Sequence, residues 1–61
     1  MRVLLVGDIV GKGGRQAACH LIPSLRHEFN CCFCIANAEN VAGGSGLTEK
    51  CVTSLLDHGV D

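Results

Sequence analysis

Residues 3–14 read VLLVGDIVGKGG, and residues 33–46 follow the same plan as FCIANAENVAGGSG. Each opens on apolar residues of strand character and runs into a glycine-punctuated loop carrying a carboxylate, Asp8 in the first and Glu39 in the second. The first strand, residues 2–7, has apolar residues facing both ways, a pattern that suits a parallel strand covered on both sides by helices. The second is expected over residues 31–37. Between them, from Arg15 onward, Ala18, Leu21, Ile22, Leu25 and Phe29 recur at helical spacing on one face. Pro23 interrupts that segment, and its missing N–H predicts a kink or a split. Asn30 is suited to the helix C-terminus.

After the second loop, Thr48 stands where an N-cap belongs, with Glu49 in the first turn, where negative charge suits the helix dipole. Cys51, Val52, Leu55 and Leu56 form the expected buried stripe. His58 lies near the helix C-terminus, and Gly59 occupies the position that favours glycine. Val60 and Asp61 would then begin a third strand. The expected fold is α/β with the order βαβα, truncated at that strand. Two parallel strands alone do not make a stable sheet, so residues 1–61 are expected to be the amino-terminal, incomplete part of one larger domain.

Composition narrows the partners. Five Lys and Arg face six Asp and Glu, giving a net charge of −1. The charges are scattered and form no basic stripe, so a nucleic-acid polymer is disfavoured. No apolar run approaches the roughly twenty residues a membrane span needs. Asp8 also interrupts any signal-peptide reading of the amino terminus. A cytoplasmic protein is expected. The five cysteines (Cys19, Cys31, Cys32, Cys34, Cys51) are odd in number and lack the paired C-x₂-C spacing of zinc sites. They are read as reduced, with Cys31, Cys32 and Cys34 in or beside an apolar run where thiols act as small hydrophobes.

The chemistry lies in the two loops. In an open parallel sheet, ligands bind outside the carboxyl ends of the strands. A right-handed crossover would bring Asp8 and the pair Glu39-Asn40 to one rim. Carboxylates at close range repel unless a proton or cation lies between them. Their oxygens, with an amide oxygen, suit a divalent ion, and a bridging carboxylate supports a two-metal hydrolytic site. Asp8 would hold one metal, Glu39 would bridge, and Asn40 would hold the second. The same residues can equally serve as turn formers or helix caps, and spacing alone leaves both readings open.

Other constellations are weaker. Gly11-Lys12-Gly13-Gly14 fails the dinucleotide fingerprint because Gln16 holds its final glycine position. It fails the Walker A pattern because Gly13, not Ser or Thr, follows Lys12. These glycines are better read as a tight loop entering a helix. His20 and His27 lack the i, i+4 spacing of a helical metal pair, and His58 suits a helix C-terminus. None of the three is a candidate ligand.

With these residues in view, the chain resembles the YmdB-type family of calcineurin-like metallophosphoesterases. The resemblance rests on MRVLLVGDIVGKGGR at residues 1–15, IANAENVAGGSG at 35–46, and residues 47–61 with their closing HGVD. It implies an α/β metallophosphoesterase sandwich and hydrolysis of phosphodiesters such as 2′,3′-cyclic nucleotides. It also implies two divalent ions, iron or manganese, and a metal-activated hydroxide as nucleophile. Carried onto this sequence, it makes Asp8 a metal ligand, Glu39 the bridging ligand and Asn40 a ligand of the second metal. Gly13 stands where the family often has Pro, Ala38 stands where Gly is common, and the CCFC strand is unusual. The family's Asn-His pair, later histidines and proton donor are not among these residues, so no catalytic residue is assigned and the 61-residue chain alone is expected to be inactive. The alternative is a non-catalytic module that associates through an uncovered sheet edge. A nucleotide-binding half-domain ranks below both.

Overall fold

The computed structural model of the chain describes residues 1–42 and 46–61. The run at 43–45, read above as part of the second glycine-punctuated loop, lies outside them. Strand β1 (Val3–Val6) leads to helix α1 (Gly11–Glu28), strand β2 (Phe33–Ala36) and helix α2 (Glu49–Asp57). The strands are parallel, with Val3 opposite Phe33 and Val6 opposite Ala36. Ladder bonding continues past their carboxyl ends, where the Asn37 N–H donates to the Val6 carbonyl at 3.1 Å.

Both helices cover the same face of this sheet. Leu4, Val6, Cys34 and Ala36 point toward a core that includes Ala18 and Ile22 of α1 and Leu55 of α2. Val3, Leu5, Phe33 and Ile35 point the other way and are exposed. The apolar residues therefore do face both ways, as their pattern in the sequence indicates. Helices on both sides do not follow: the second face is bare among the described residues. Leu21, Phe29 and Leu56, assigned to buried stripes from their spacing, are likewise about half exposed.

Helix α1 begins at Gly11, a turn earlier than its apolar periodicity indicates. Glycine is a poor helix former, but docking decides here. The Gly11 N–H donates to the Asn40 carbonyl at 3.3 Å, and Gly11 turns the chain into the helix with φ 68°, a conformation open to glycine. Pro23 does not split the helix. It lies on the exposed side, so the hydrogen bond it cannot donate is lost at the solvent face, while Ile22 beside it is anchored in the core.

The helix ends follow their sequence signals. Asn30 adopts a left-handed φ of 52° just beyond α1. The N–H groups of Asn30 and Cys31 donate to the carbonyls of His27 and Arg26, the paired bonds of a Schellman motif. That motif takes Cys31 out of the expected strand and shortens β2. At α2 the Thr48 hydroxyl accepts the Cys51 N–H at 3.2 Å. At its far end Gly59 has φ 105°, and the Val60 N–H donates to Leu55.

The last residues lie along the edge of β2 opposite β1. The Asp61 N–H donates to the Cys34 carbonyl, and the Asp61 carboxylate accepts the Cys34 N–H, both at 2.9 Å. The same carboxylate pairs with Arg26 at 2.8 Å, and that guanidinium also donates to the Gly59 carbonyl at 2.7 Å. This is the place of the expected third strand. The cysteines are all free, but they do not share one environment. Cys34 is fully buried, Cys19 and Cys51 pack against the core, and Cys32 is exposed. Cys32 sits where the chain leaves the helix cap for the strand, so the reading of it as a buried hydrophobe is corrected.

Candidate functional site

The two chemistry-bearing loops emerge side by side from the carboxyl ends of β1 and β2, and backbone hydrogen bonds hold them together. The Ile9 N–H donates to the Asn37 carbonyl at 3.0 Å, and Gly11 bonds to Asn40 as described. Each loop also drives one aliphatic side chain into the core, Ile9 from the first and Val41 from the second, at 3% and 1% exposure. The Val41 N–H closes a tight turn onto the Ala38 carbonyl at 3.2 Å. These anchors leave the polar side chains between them at the rim.

Asp8 and Asn40 meet there. The Asn40 amide Nδ2 donates to both carboxylate oxygens of Asp8, each at 3.2 Å, across 32 residues of sequence. Glu39 takes a different partner. Its N–H donates to the Asn37 side-chain oxygen at 3.2 Å, and its carboxylate accepts from the Asn37 amide at 3.4 Å. The structure thus joins Asp8 to Asn40 directly and turns Glu39 toward Asn37.

Asp8, Glu39 and Asn40 offer the oxygen donors that a hard or borderline divalent cation takes. Asp8 and Glu39 are exposed at the rim, and neither is engaged in an ion pair among the described residues. Rotation of the Asn40 amide exchanges its nitrogen for its oxygen, so the contact to Asp8 can become a pair of cation ligands without backbone change. Among the described residues no three His, Cys, Asp or Glu side chains come together as a metal cage. The donor set fits a metal but is partial.

The histidines stand apart from this rim. His20 and His27 are exposed on α1. His58 Nδ1 lies 2.6 Å from the Ser54 carbonyl at the end of α2, so that nitrogen carries the proton. Asn37 is the rim residue that the ligand assignment left out. Its signal was present, because an Asn two residues before another polar residue at a strand end marks an Asx turn. Among the described residues no helix is long and apolar enough to cross a membrane.

Known proteins resemble the chain in sequence and in fold. The chain is 44% identical over all 61 residues to the 2′,3′-cyclic-nucleotide 2′-phosphodiesterase of Bacillus subtilis (strain 168), of which it spans 23%. The crystal structure of a novel phosphatase from Mycoplasma pneumoniae superimposes with a TM-score of 0.91 at 33% identity. That match covers 95% of this chain and 21% of the phosphatase. A hypothetical protein from Thermus thermophilus superimposes with a TM-score of 0.88 at 38% identity, over all of this chain and 23% of its own. The βαβα unit is therefore the fold of a segment of larger proteins, one of them a phosphatase. Residues 4–61 match the family described as YmdB-like protein, and the chain belongs to that family.

Proposed function

We propose that this chain is the amino-terminal part of a metal-dependent phosphodiesterase, within a single domain, and that Asp8, Glu39 and Asn40 are its contribution to a two-metal centre. The observation that carries the reading is the Asp8–Asn40 contact at the carboxyl rim of the sheet, built from two loops far apart in sequence. The name of the Bacillus relative supports a small 2′,3′-cyclic nucleotide as substrate. When bound, the divalent ions, iron or manganese, would supply Lewis acidity and a hydroxide nucleophile. The chain's own residues would hold those ions: Asp8 would offer a carboxylate to one, Asn40 an amide oxygen to the other, and Glu39 a carboxylate shared between them. A cytoplasmic location belongs to the same proposal.

The test is a chimera in which this chain replaces the matching segment of the Bacillus phosphodiesterase. The expected result is metal-dependent hydrolysis of a 2′,3′-cyclic nucleotide. Asp8→Ala or Glu39→Gln should lower kcat/KM by about 100-fold or more. Variants as active as the parent chimera would overturn the assignment. The 61-residue chain alone should be inactive, because three donors leave each ion open to water.

One observation favours a second reading. The exposed face of Val3, Leu5, Phe33 and Ile35 offers an association surface, as a non-catalytic interaction module would need. Sedimentation separates the two. A folded oligomer of fixed size supports the module, whereas polydisperse association supports a segment missing its cover.

A further inference from the structure

Asn37 makes two backbone hydrogen bonds across to the first strand and its loop, and two side-chain hydrogen bonds to Glu39. Its N–H donates to the Val6 carbonyl at 3.1 Å, and its carbonyl accepts the Ile9 N–H at 3.0 Å. Its peptide groups therefore continue the ladder from β2 to the loop that bears Asp8. Its side chain does the reverse task within its own loop. The Asn37 oxygen accepts the Glu39 N–H at 3.2 Å, and the Asn37 amide nitrogen lies 3.4 Å from a Glu39 carboxylate oxygen. The first of these sets the backbone turn that presents Glu39. The second is longer and weaker, but it is the only side-chain hydrogen bond that the Glu39 carboxylate makes among the described residues.

We propose that Asn37 is a positioning residue of this site, fixing the Glu39 carboxylate relative to Asp8 through these bonds. The inference rests on the reading of Glu39 as a metal ligand. Partners that orient a metal ligand typically carry a 10–100-fold effect on metal affinity. An amide is suited to this role: its oxygen serves the backbone N–H while its nitrogen, a donor only, faces an acceptor-only carboxylate. Asp at this position would keep the turn, because Asp forms the same Asx turn. It would also set a second negative charge against Glu39. The pair of substitutions therefore separates a turn former from a residue that aims the carboxylate.

The experiment is a manganese titration of the chimera carrying Asn37→Asp, Asn37→Ala or Glu39→Gln. Bound metal is read by equilibrium dialysis, and folding by circular dichroism and thermal melting. The expected result is a loss of manganese affinity of about 10-fold or more in Asn37→Asp with an unchanged melting curve, and a similar or larger loss in Asn37→Ala. Hydrolysis kinetics should show the loss recovered in part at saturating manganese. If Asn37→Asp binds manganese as the parent does, Asn37 is only a turn former and the proposal fails. The proposal also fails if affinity falls only in step with the melting temperature. If Glu39→Gln leaves manganese binding intact, the ligand reading of Glu39 is what fails.

Discussion

Cys34 shows how much one side chain depends on its place. It is fully buried between the strands and both helices, and its backbone is paired on the free edge by Asp61. Burial pushes its thiol above the ordinary range, Asp61 and Cys31 add to the rise, and Arg26 opposes it. The neutral thiol is thus favoured in the folded chain, and the unfolded chain ionises first as pH rises. The stability this provides is complete below the unfolded thiol pKa of about 8.5 and is lost as pH climbs through the folded value. Denaturation midpoints measured from about pH 7 to 10 should fall at the alkaline end, and Cys34→Ala should flatten that fall. An alkaline fall that is unchanged in Cys34→Ala would contradict the assignment. The low polarity around this thiol could be guessed from the apolar run, whereas the exposure of Cys32 could not. It depends on where the Schellman turn releases the chain, which no local residue preference states.

Among the elements, the ends were more legible than the middles. Thr48, Asn30 and Gly59 each satisfy helix-terminal groups by their own side chain or by their own φ, so a single residue type carries the signal. The start of α1 and the tolerance of Pro23 depend on tertiary docking, and the sequence placed both differently. Gly59 allows a direct check. A Cβ there would stand 3.2 Å from the Ile22 side chain, and the residue has φ 105°. Gly59→Ala should therefore destabilise the fold by about 1–2 kcal/mol, through backbone strain and a displaced core residue together. Urea denaturation would measure it, and an unchanged midpoint would show that the α2 terminus can relax at no cost. At the rim, the meeting of Asp8 and Asn40 was legible because parallel strands impose it. The turn of Asn37 onto the Glu39 N–H was legible from residue type, whereas the reach of its amide to the Glu39 carboxylate depends on loop rotamers and was not.

At the scale of the whole molecule, the central fact is a sheet that the described residues clothe on one side. Val3, Leu5, Phe33 and Ile35 expose 42%, 73%, 46% and 52% of their surfaces. Further apolar grooves flank the sheet, one beside β1 and α1 and one beside β2 and α2. A sequence can show that a strand is apolar on both faces, but not which element covers the second. The 61-residue chain should therefore self-associate, and Leu5→Lys with Ile35→Lys should suppress this without altering helix content. Sedimentation velocity with circular dichroism would test it, and a monodisperse monomer before substitution would contradict it. The site shares this incompleteness. Its rim holds three proposed ligands, Asp8, Glu39 and Asn40, and a two-metal centre needs more than that. The most direct measurement is the metal content of the purified chimera, by elemental analysis, with and without Glu39→Gln. About two divalent ions per chain are expected in the parent, with a clear loss in the variant. Equal metal content in both would contradict the claim that this rim is part of a metal centre.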